Sequence, residues 1–332
     1  MKELTNYKSI LSIEDTQIAI KFVKDNFEKI LAKKLNLTRV SAPLFVRPST
    51  GLNDNLSGSE KAVSFNVKCL NEDVEIVQSL AKWKRIALKR YGFNVNEGLY
   101  TDMNAIRKDE NIDFIHSFYV DQWDYELIIN KEDRNLEFLK STVKNIYSCL
   151  LKISKMTERR YKNLKNELPK EIYFISSEEL LKMYPNMTSK ERENAITREK
   201  KAVFLYQIGK ILSNGESHDT RAADYDDWEL NGDILLYYSL YDMAFEISSM
   251  GIRVDKDSLR KQLTIKNELE KLENDYCRQV LNEEVPFTIG GGIGQSRLSM
   301  FMLKKAHIGE VQSSIWNIDE QKELEKKNII LL

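Results

Sequence analysis

The chain has 332 residues, of which 42% are hydrophobic and 30% are charged, a composition typical of a soluble globular protein with a substantial core. Its 50 basic and 51 acidic residues give a formal net charge of −1, which excludes the strong positive field that binds nucleic acids or membrane surfaces. The three cysteines lie far apart, so neither a disulfide framework nor a structural zinc site is expected. The N-terminus is polar and lacks the apolar core of a signal peptide, and no apolar run is long enough to span a membrane. We therefore expect a cytoplasmic protein with neither a nucleic acid nor a membrane as partner.

Hydrophobic periodicity and turn residues predict the helices and strands in chain order. The predicted elements are a helix over residues 12–35, a strand over 37–45, a polar loop over 47–60, a hairpin of strands over 63–69 and 74–77, a short helix near 80–91, strands near 99–107 and 118–125, a helix over about 135–165, strands over 172–175 and 202–208, a polar segment over 211–232, strands over 230–238 and 243–247, a charged helix over about 256–281, and finally a strand, a glycine-rich turn and a helix. Because Pro43 cannot donate to a ladder, its strand should lie at an edge or an interface. Strands cluster before and after the helical middle. This order predicts one α+β domain over residues 1–332, with a mostly antiparallel sheet flanked by helices.

The most conspicuous motif is the glycine run from Gly290 to Arg297. It is not a dinucleotide fingerprint, because the third glycine would fall at Gln295, and no Gly-Lys-Ser/Thr follows as in a Walker A loop. A packing turn is the simplest interpretation of an isolated glycine run. Arg297, in the first turn of the next predicted helix, favours a nucleotide site, because a guanidinium can stack on adenine or bind phosphate while glycines admit a flat ligand.

Two further groups of polar residues fit the same ligand. In the first, Arg107 precedes a polar loop that holds His116, and acids and an amide follow on the next strand, among them Asp124. In the second, Glu246 and Arg253 flank a predicted Ser-Ser-x-Gly bend. Asp233 lies on the strand before that bend. Two carboxylates on adjacent strands are suited to a phosphate-bound Mg²⁺, which takes few protein ligands.

These segments resemble the three motifs of the class II aminoacyl-tRNA synthetase catalytic fold. The helix and strand that end in Pro43 resemble motif 1, residues 107–124 resemble motif 2, and residues 290–297 resemble motif 3; residues 246–253 are similar to an element of the aspartyl and asparaginyl branch. From about residue 10 to the C-terminus, the order of shorter motifs is similar to that of the ammonia-dependent asparagine synthetase family. These motifs are Asp54-Asn-Leu-Ser-Gly58, Ser79–Arg85, Glu97–Tyr100, Val120–Asp124, Asp224–Trp228, Leu230–Leu235, Ser248–Arg253 and Gly290–Arg297.

The resemblance implies an ATP-dependent ligase that makes L-asparagine from L-aspartate and ammonia. The side-chain carboxylate would be activated as a β-aspartyl-adenylate with release of diphosphate, and ammonia would then displace AMP. Joining two anions in this way requires fixed cations. The resemblance also implies Mg²⁺ with ATP as substrate, and a homodimer formed through the element from Ser12 to Pro43.

The same resemblance implies a set of site residues. The expected catalytic residues are Arg107, Asp54 and Gln122. The expected aspartate-binding residues are Asp54, Ser79, Lys84, Gln122, Asp124, Ser249 and Arg253. The expected ATP-binding residues are Arg107, His116, Arg221, Gly292, Gly294 and Arg297, and the expected metal ligands are Asp233 and Glu246. Either Asp54 or Asp121 could steer or deprotonate ammonia.

Several alternatives remain open from the sequence. Lys82 and Lys84 by themselves would be interpreted as an ordinary solvated helix face, and residues 224–228 as either a plain acidic loop or part of a nucleotide site. No cysteine has a catalytic signature, so free ammonia is the expected nitrogen donor. The competing functions are a truncated aspartyl- or asparaginyl-tRNA synthetase-like paralogue and a sensor of an amino acid or nucleotide.

Overall fold

The computed structural model describes residue 4, residues 7–54, residue 56 and residues 60–332. Within these residues the helices are α1 Ile13–Leu35, α2 Ala81–Tyr91, α3 Leu136–Arg160, α4 Ser177–Met183, α5 Ser189–Lys200, α6 Lys256–Lys266, α7 Asp275–Leu281, α8 Gln295–Met302 and α9 Ile318–Lys326. The strands are β1 Leu37–Arg39, β2 Phe45–Val46, β3 Ser64–Val67, β4 Glu72–Ile76, β5 Gly98–Ile106, β6 Tyr119–Ile128, β7 Tyr173–Ser176, β8 Ala202–Tyr206, β9 Asp226–Tyr238, β10 Met243–Arg253 and β11 Thr288–Gly294. Asn55, Ser57 and Gly58 of the predicted motif at 54–58 lie outside the described residues.

A large mixed sheet forms the centre of the described chain. Its strand order is β1-β5-β6-β11-β10-β9-β8-β7. The pairings β1–β5 and β7–β8 at its two ends are parallel, and those between them are antiparallel. A small antiparallel sheet has the order β2-β4-β3, which confirms the predicted hairpin. The prediction of an α+β fold with a mostly antiparallel sheet flanked by helices is therefore confirmed.

One face of the large sheet is covered by α1 and α3. The Ser12 hydroxyl accepts a hydrogen bond from the Asp15 backbone amide at 3.0 Å, and α1 ends at Asn36 in the left-handed conformation. On α1 the side chains of Ala19, Val23, Phe27, Leu31 and Leu35 are buried, and the ring centroids of Phe27 and of Trp123 on β6 lie 5.0 Å apart. Burying a side chain of this size stabilises the fold by about 1.5–3 kcal/mol. Alternate residues of β6 therefore pack into this core, which leaves the intervening ones on the opposite face.

Two predicted boundaries are wrong. The strand predicted over residues 37–45 is divided between β1 and β2, which belong to different sheets, and Pro43 lies between them without a backbone N–H to extend a ladder. The charged helix predicted over residues 256–281 ends at Asn267, which is left-handed, and restarts as α7 after Asn274 caps it by accepting from the Cys277 amide. Apolar periodicity alone does not reveal these stops.

The predicted glycine-rich turn and the predicted bend over residues 248–251 are also wrong, because both segments are continuous strands. β11 contains Gly290 and Gly292, paired with Glu126 and Asp124 of β6. A β-carbon on Gly290 would lie 1.9 Å from the Glu126 carboxylate. The glycines therefore give space to side chains of the neighbouring strand and do not turn the chain.

In the part of the chain that the structure describes, no helix has both the length and the apolar character needed to cross a lipid bilayer.

Candidate active site

A cavity of about 560 Å³ lies on the sheet face opposite α1 and α3. The predicted site residues that line it are Asp54, Ser79, Lys84, Arg107, His116, Gln122, Asp124, Arg221, Glu246, Ser249, Arg253, Gly292, Gly294 and Arg297. Asp233 is the one predicted site residue that does not line it; it lies directly behind Arg221. A β-bulge between Glu246 and Ser248 allows Glu246 and Ser249 both to reach the cavity from β10. The sequence therefore identified a set of residues that converge, although their individual roles stay predictions.

The inner end of the cavity contains a buried lysine. Lys84 is 1% exposed, and its ammonium group donates to the carbonyls of Tyr125 and Gly291 at 3.0 Å each. The Asp124 carboxylate lies 3.3 Å away. Burial lowers the pKa of Lys84, while the attraction of Asp124 opposes this shift. The solvated helix face that residue type alone suggests for Lys82 and Lys84 is wrong, because both lysines point into the protein.

Arg253 lies between two buried carboxylates. It donates to Glu126 through Nε at 2.9 Å and through Nη2 at 2.7 Å, and through Nη1 to Asp226. Burial alone would raise the pKa of Glu126, but the Arg253 guanidinium holds it below its ordinary value. Two of the five N–H groups of Arg253 remain for an anionic ligand. Glu126 was missed at the sequence level, and Asp226 was named only as part of the segment 224–228; the alternation of Gln122, Asp124 and Glu126 on β6 could have indicated Glu126.

A second buried ion pair lies next to Asp54. Lys82 donates to Asp224 at 2.9 Å, and the attraction of Asp224 and Asp54 outweighs burial and raises the pKa of Lys82. Burial raises the pKa of Asp54 to about 6; Lys82 opposes this shift and Asp224 adds to it. One Asp54 oxygen accepts from the Leu56 amide at 3.0 Å, and the other has no hydrogen-bond partner among the described residues. Asp224 is thus a structural support beneath this wall rather than part of a plain loop.

Asp121, the other candidate to act on ammonia, is already saturated. Its oxygens accept from Lys24 at 2.8 Å, from the backbone and hydroxyl of Ser296 at 3.0 and 2.8 Å, and from Gln312 at 3.3 Å. This arrangement attaches α1 and α8 to β6. A carboxylate with four donors is poorly placed to accept a further proton, so the geometry favours Asp54 over Asp121.

The predicted phosphate and metal residues are paired with each other at the opposite end. Arg221 donates to Asp233, and Arg297 lies 3.6 Å from the Glu246 carboxylate. Burial raises the pKa of Asp233 to about 7, although the Arg221 charge opposes that shift. Attraction from Arg297 and Arg221 outweighs burial and lowers the pKa of Glu246.

Asp233 and Glu246 lie on adjacent strands, β9 and β10. One oxygen of Asp233 is buried and lacks a hydrogen-bond partner among the described residues. Those residues contain no group of three or more His, Cys, Asp or Glu side chains arranged to hold a metal ion. Two hard carboxylate ligands nevertheless fit Mg²⁺, which retains several waters and also binds phosphate oxygens.

Arg107 and His116 lie on the motif 2 side of the cavity. Arg107 makes one long contact, to the Gln78 carbonyl at 3.4 Å, and its Nε is buried without a partner among the described residues. The guanidinium is therefore available to an anionic ligand. The Nδ1 atom of His116 lies 2.9 Å from Asp113 in the same loop, which leaves Nε2 for a ligand.

The antiparallel sheet and the polar cavity on its face define the class of protein as a class II aminoacyl-tRNA synthetase-like catalytic domain. The chain is similar to the asparaginyl-tRNA synthetase of Entamoeba histolytica in complex with asparaginyl-adenylate, with a TM-score of 0.64, 13% identity, and coverage of 90% of this chain and 66% of that chain. It is also similar to the asparaginyl-tRNA synthetase of Pyrococcus horikoshii complexed with asparaginyl-adenylate, with a TM-score of 0.63, 17% identity, and coverage of 90% and 68%. The chain spans about two thirds of the length of these synthetases, and the likeness shows the fold.

The chain belongs to the aspartate–ammonia ligase family, whose model matches residues 14–328. It is 58% identical over 327 residues to the aspartate–ammonia ligase of Clostridium tetani, covering 98% of this chain and 96% of that protein. It is 56% identical over 326 residues to that of Fusobacterium nucleatum, covering 98% and 99%. The family and the fold predicted from the sequence motifs are confirmed.

Proposed function

We propose that the chain catalyses the ATP-dependent synthesis of L-asparagine from L-aspartate and ammonia, with AMP and diphosphate as products. One observation supports this above the others: within a family of aspartate–ammonia ligases, one cavity gathers the fixed cations Lys84, Arg107, Arg253 and Arg297. Each holds a position suited to an anion. The two substrates carry carboxylates and a triphosphate that must be brought together against their mutual repulsion.

The aspartate would lie at the inner end of the cavity. Lys84 and the free N–H groups of Arg253 would bind the carboxylate that is not activated, and Asp124 with Gln122 would bind the ammonium group. Ser79 and Ser249 would add polar contacts. The burial of Lys84 and Arg253 supports this assignment, because buried charges with fixed partners bind without reorganising.

The first chemical step joins the side-chain carboxylate to AMP. A carboxylate oxygen attacks the α-phosphorus, the bond from that phosphorus to the bridging oxygen breaks, and diphosphate leaves with the electron pair. Arg107 would stabilise the charge that develops on the α-phosphate and the attacking carboxylate. Arg297, Arg221, His116, Gly292 and Gly294 would hold the nucleotide. Mg²⁺ held by Asp233 and Glu246 would neutralise charge on the phosphates.

In the second step ammonia attacks the carbonyl carbon of the mixed anhydride. The tetrahedral intermediate collapses, the bond to the AMP oxygen breaks, and AMP leaves. The attacking nitrogen must lose a proton, and Asp54 would accept it. A free carboxylate oxygen and a pKa of about 6 suit Asp54 to this work near neutral pH.

We further propose that residues 1–332 act as one catalytic domain in a cytoplasmic homodimer. A continuous core that includes Tyr7 and Leu331 supports the single domain. Ile13 and Ile18 on α1 are 54% and 49% exposed, which supports an interface through the element from Ser12 to Pro43. Light scattering during gel filtration would measure the mass; a monomer would contradict the dimer.

The experiment for the reaction is direct. Purified protein is incubated with aspartate, Mg²⁺-ATP and ammonium chloride, and asparagine, AMP and diphosphate are quantified. Equal amounts of the three products support the proposal. ADP with phosphate would indicate an acyl phosphate instead, and charging of tRNA with aspartate or asparagine, without free asparagine, would indicate a tRNA synthetase. ATP binding without turnover would indicate a sensor.

A further inference from the structure

The wall of the cavity beyond Arg297 is built by a C-terminal segment, residues 307–314, that belongs to none of the three motifs. The backbone amide of Ile308 donates to the Phe114 carbonyl at 2.8 Å, and Ser117 donates to Ser314 at 2.9 Å. These contacts fasten the segment to the motif 2 loop. Ile308 and Gln312 from this segment line the cavity.

The side-chain amide of Gln312 is held in one orientation. Its Nε2 lies 3.3 Å from Asp121 Oδ1 and 3.2 Å from Ser296 Oγ, and the side chain is 5% exposed. The opposite orientation would place Oε1 against the Asp121 carboxylate, which is repulsive. Asp121 is in turn fixed by Lys24 and Ser296, so the amide cannot readily turn.

This orientation leaves the Gln312 Oε1 buried and without a hydrogen-bond partner among the described residues. Leaving a buried acceptor unpaired costs free energy, so such groups are normally satisfied by a partner or a ligand. Because Gln312 lines the cavity, a bound ligand with an N–H donor is the natural partner.

The surroundings of Gln312 identify the kind of ligand. Ile308, Ile115 and Val120 also line this part of the cavity, and Arg297 follows Ser296 directly. Apolar side chains, a neutral acceptor and a guanidinium suit a flat heteroaromatic base better than a phosphate, which would require donors. The ion pair between Arg221 and Asp233, which suits a phosphate and its metal, involves none of these residues.

We propose that Gln312 Oε1 accepts a hydrogen bond from the exocyclic amino group of adenine. Gln312 thereby selects ATP over purine nucleoside triphosphates that lack this group. The inference rests on the proposed function in taking ATP as the nucleotide. A site built to accept a hydrogen bond rejects an analogue without the donor, because its own acceptor then stays unpaired.

The test is titration calorimetry of nucleotide binding in the presence of Mg²⁺ and without ammonia. We expect the wild type to bind ATP roughly tenfold more tightly than purine riboside triphosphate, which has hydrogen in place of the amino group. In Gln312→Met, which keeps the size but removes the acceptor, we expect the two affinities to become equal. Inosine triphosphate, whose oxygen would face Oε1, should bind the wild type weakly and regain affinity in the variant.

Loss of the contacts from residue 312 to Asp121 and Ser296 should weaken the binding of ATP and of purine riboside triphosphate alike. The ratio of these two affinities within one variant therefore reports the loss of the acceptor alone. Ser314→Ala is the matched control: it loosens the same segment, and its preference for ATP should equal that of the wild type. An unchanged preference in Gln312→Met, or none in the wild type, would overturn the inference. Because binding is measured without turnover, failure of the proposed reaction would be seen separately, as the absence of asparagine.

Discussion

Arg221 and Asp233 form an ion pair in which the carboxylate is buried and the guanidinium is partly exposed, so a residue expected to bind a terminal phosphate is bonded to a residue expected to bind the metal. Arg297 and Glu246 repeat this relationship at 3.6 Å. Arg221 neutralises the Asp233 carboxylate, which would otherwise be buried with an uncompensated charge, and Arg297 lies beside the partly exposed Glu246 carboxylate. Binding of a magnesium–triphosphate complex would exchange partners within both pairs: the arginines would turn to phosphate and the carboxylates to the metal.

The first prediction concerns the pH dependence of magnesium binding. Burial raises the pKa of Asp233 to about 7, so this carboxyl is mostly protonated below that pH and charged above it. Because the metal requires the charged form, we expect the Mg²⁺ concentration for half-maximal ATP binding to rise roughly tenfold per pH unit below 7. Titrations with Mg²⁺ at pH 6 and pH 8 would measure this. In Asp233→Asn the binding should be weak at both values, and a variant with wild-type magnesium dependence would rule out Asp233 as a ligand.

The second prediction separates the two chemical steps at Asp54. Asp54→Asn should lower asparagine formation by roughly a hundredfold or more, because the group that we propose as proton acceptor for ammonia is lost. Aspartate-dependent exchange of diphosphate into ATP, which reports adenylate formation, should remain within a few fold of the wild type. When the wild-type rate is divided by the concentration of unprotonated ammonia, the quotient should fall as the pH drops below about 6, because Asp54 then becomes protonated. Equal loss of both reactions would instead assign Asp54 to the binding of the aspartate ammonium group.

Asp54 should also destabilise the fold at neutral pH. Its pKa is raised from 3.8 to about 6, so the folded state holds the proton more tightly than the unfolded state. The stability that results is present below pH 4 and is lost as the pH rises through 6. At pH 8 the free energy of unfolding of Asp54→Asn should therefore exceed that of the wild type by roughly 2–3 kcal/mol, whereas at pH 4 the two proteins should be about equally stable in denaturant titrations. An equal difference at both values would show that this carboxyl is not the cause.

The sequence motifs identified site residues that lie close together along one strand or at the start of one helix. Gln122, Asp124 and Arg297 were placed on the correct elements, Arg107 lies one residue beyond the end of β5, the strand on which it was predicted, and all four line the cavity. These predictions succeeded because a motif records which residue types follow one another along a strand or at a helix start. The prediction of α1 succeeded for a similar reason, since its apolar stripe is a local pattern.

Partners from other strands could not be found in this way. Glu126 on β6 contacts Arg253 on β10, although β11 lies between the two strands. Gln312 contacts Asp121, although it lies 191 positions later in the chain. The glycine run was mistaken for a turn because the need for space comes from the Glu126 and Gln122 side chains on β6. Such contacts join residues that are far apart in the sequence, and they depend on the strand order of the sheet, which local sequence patterns do not give.

The glycines give the fourth prediction, on substrate binding. A β-carbon at Gly292 would lie 2.2 Å from Gln122 Oε1 and 2.8 Å from Asp124 Oδ1. Both are the ends of side chains that can move, so Gly292→Ala should fold with a loss of less than about 2 kcal/mol. The KM for aspartate should nevertheless rise by roughly tenfold or more, because the displaced groups are those expected to bind it.

Gly294→Ala is the matched control for that substitution. Its nearest neighbour would be the β-carbon of Arg297 at 3.1 Å, on the nucleotide side of the cavity. We expect a smaller change in the KM for aspartate than in the KM for ATP. Steady-state kinetics with each substrate varied in turn would measure both, and similar KM values for aspartate in the two alanine variants would refute the assignment of Gln122 and Asp124.

The last prediction concerns the stability contributed by Arg253. In the wild type its guanidinium lowers the pKa of Glu126, so that carboxylate stabilises the fold above its unfolded pKa, and the contribution is lost as the pH falls. Arg253→Met leaves Glu126 and Asp226 buried without their cation, which should cost roughly 3–5 kcal/mol at pH 7. Burial would then raise the pKa of Glu126, so the sign of the dependence reverses and the variant should gain stability as the pH is lowered towards 5. Guanidinium chloride is unsuitable for this comparison because its salt screens charges; urea denaturation at several pH values measures the effect.

The double variant Arg253→Met with Glu126→Gln isolates the cause. It removes the uncompensated charge at one of the two carboxylates, so part of the lost stability should return at pH 7 and the pH dependence should weaken. Aspartate binding should stay impaired in both variants, because neither retains the cation that we propose for the substrate carboxylate. If the double variant is instead less stable than Arg253→Met, the loss arises from packing around residue 253, and the Glu126 charge has little part in it.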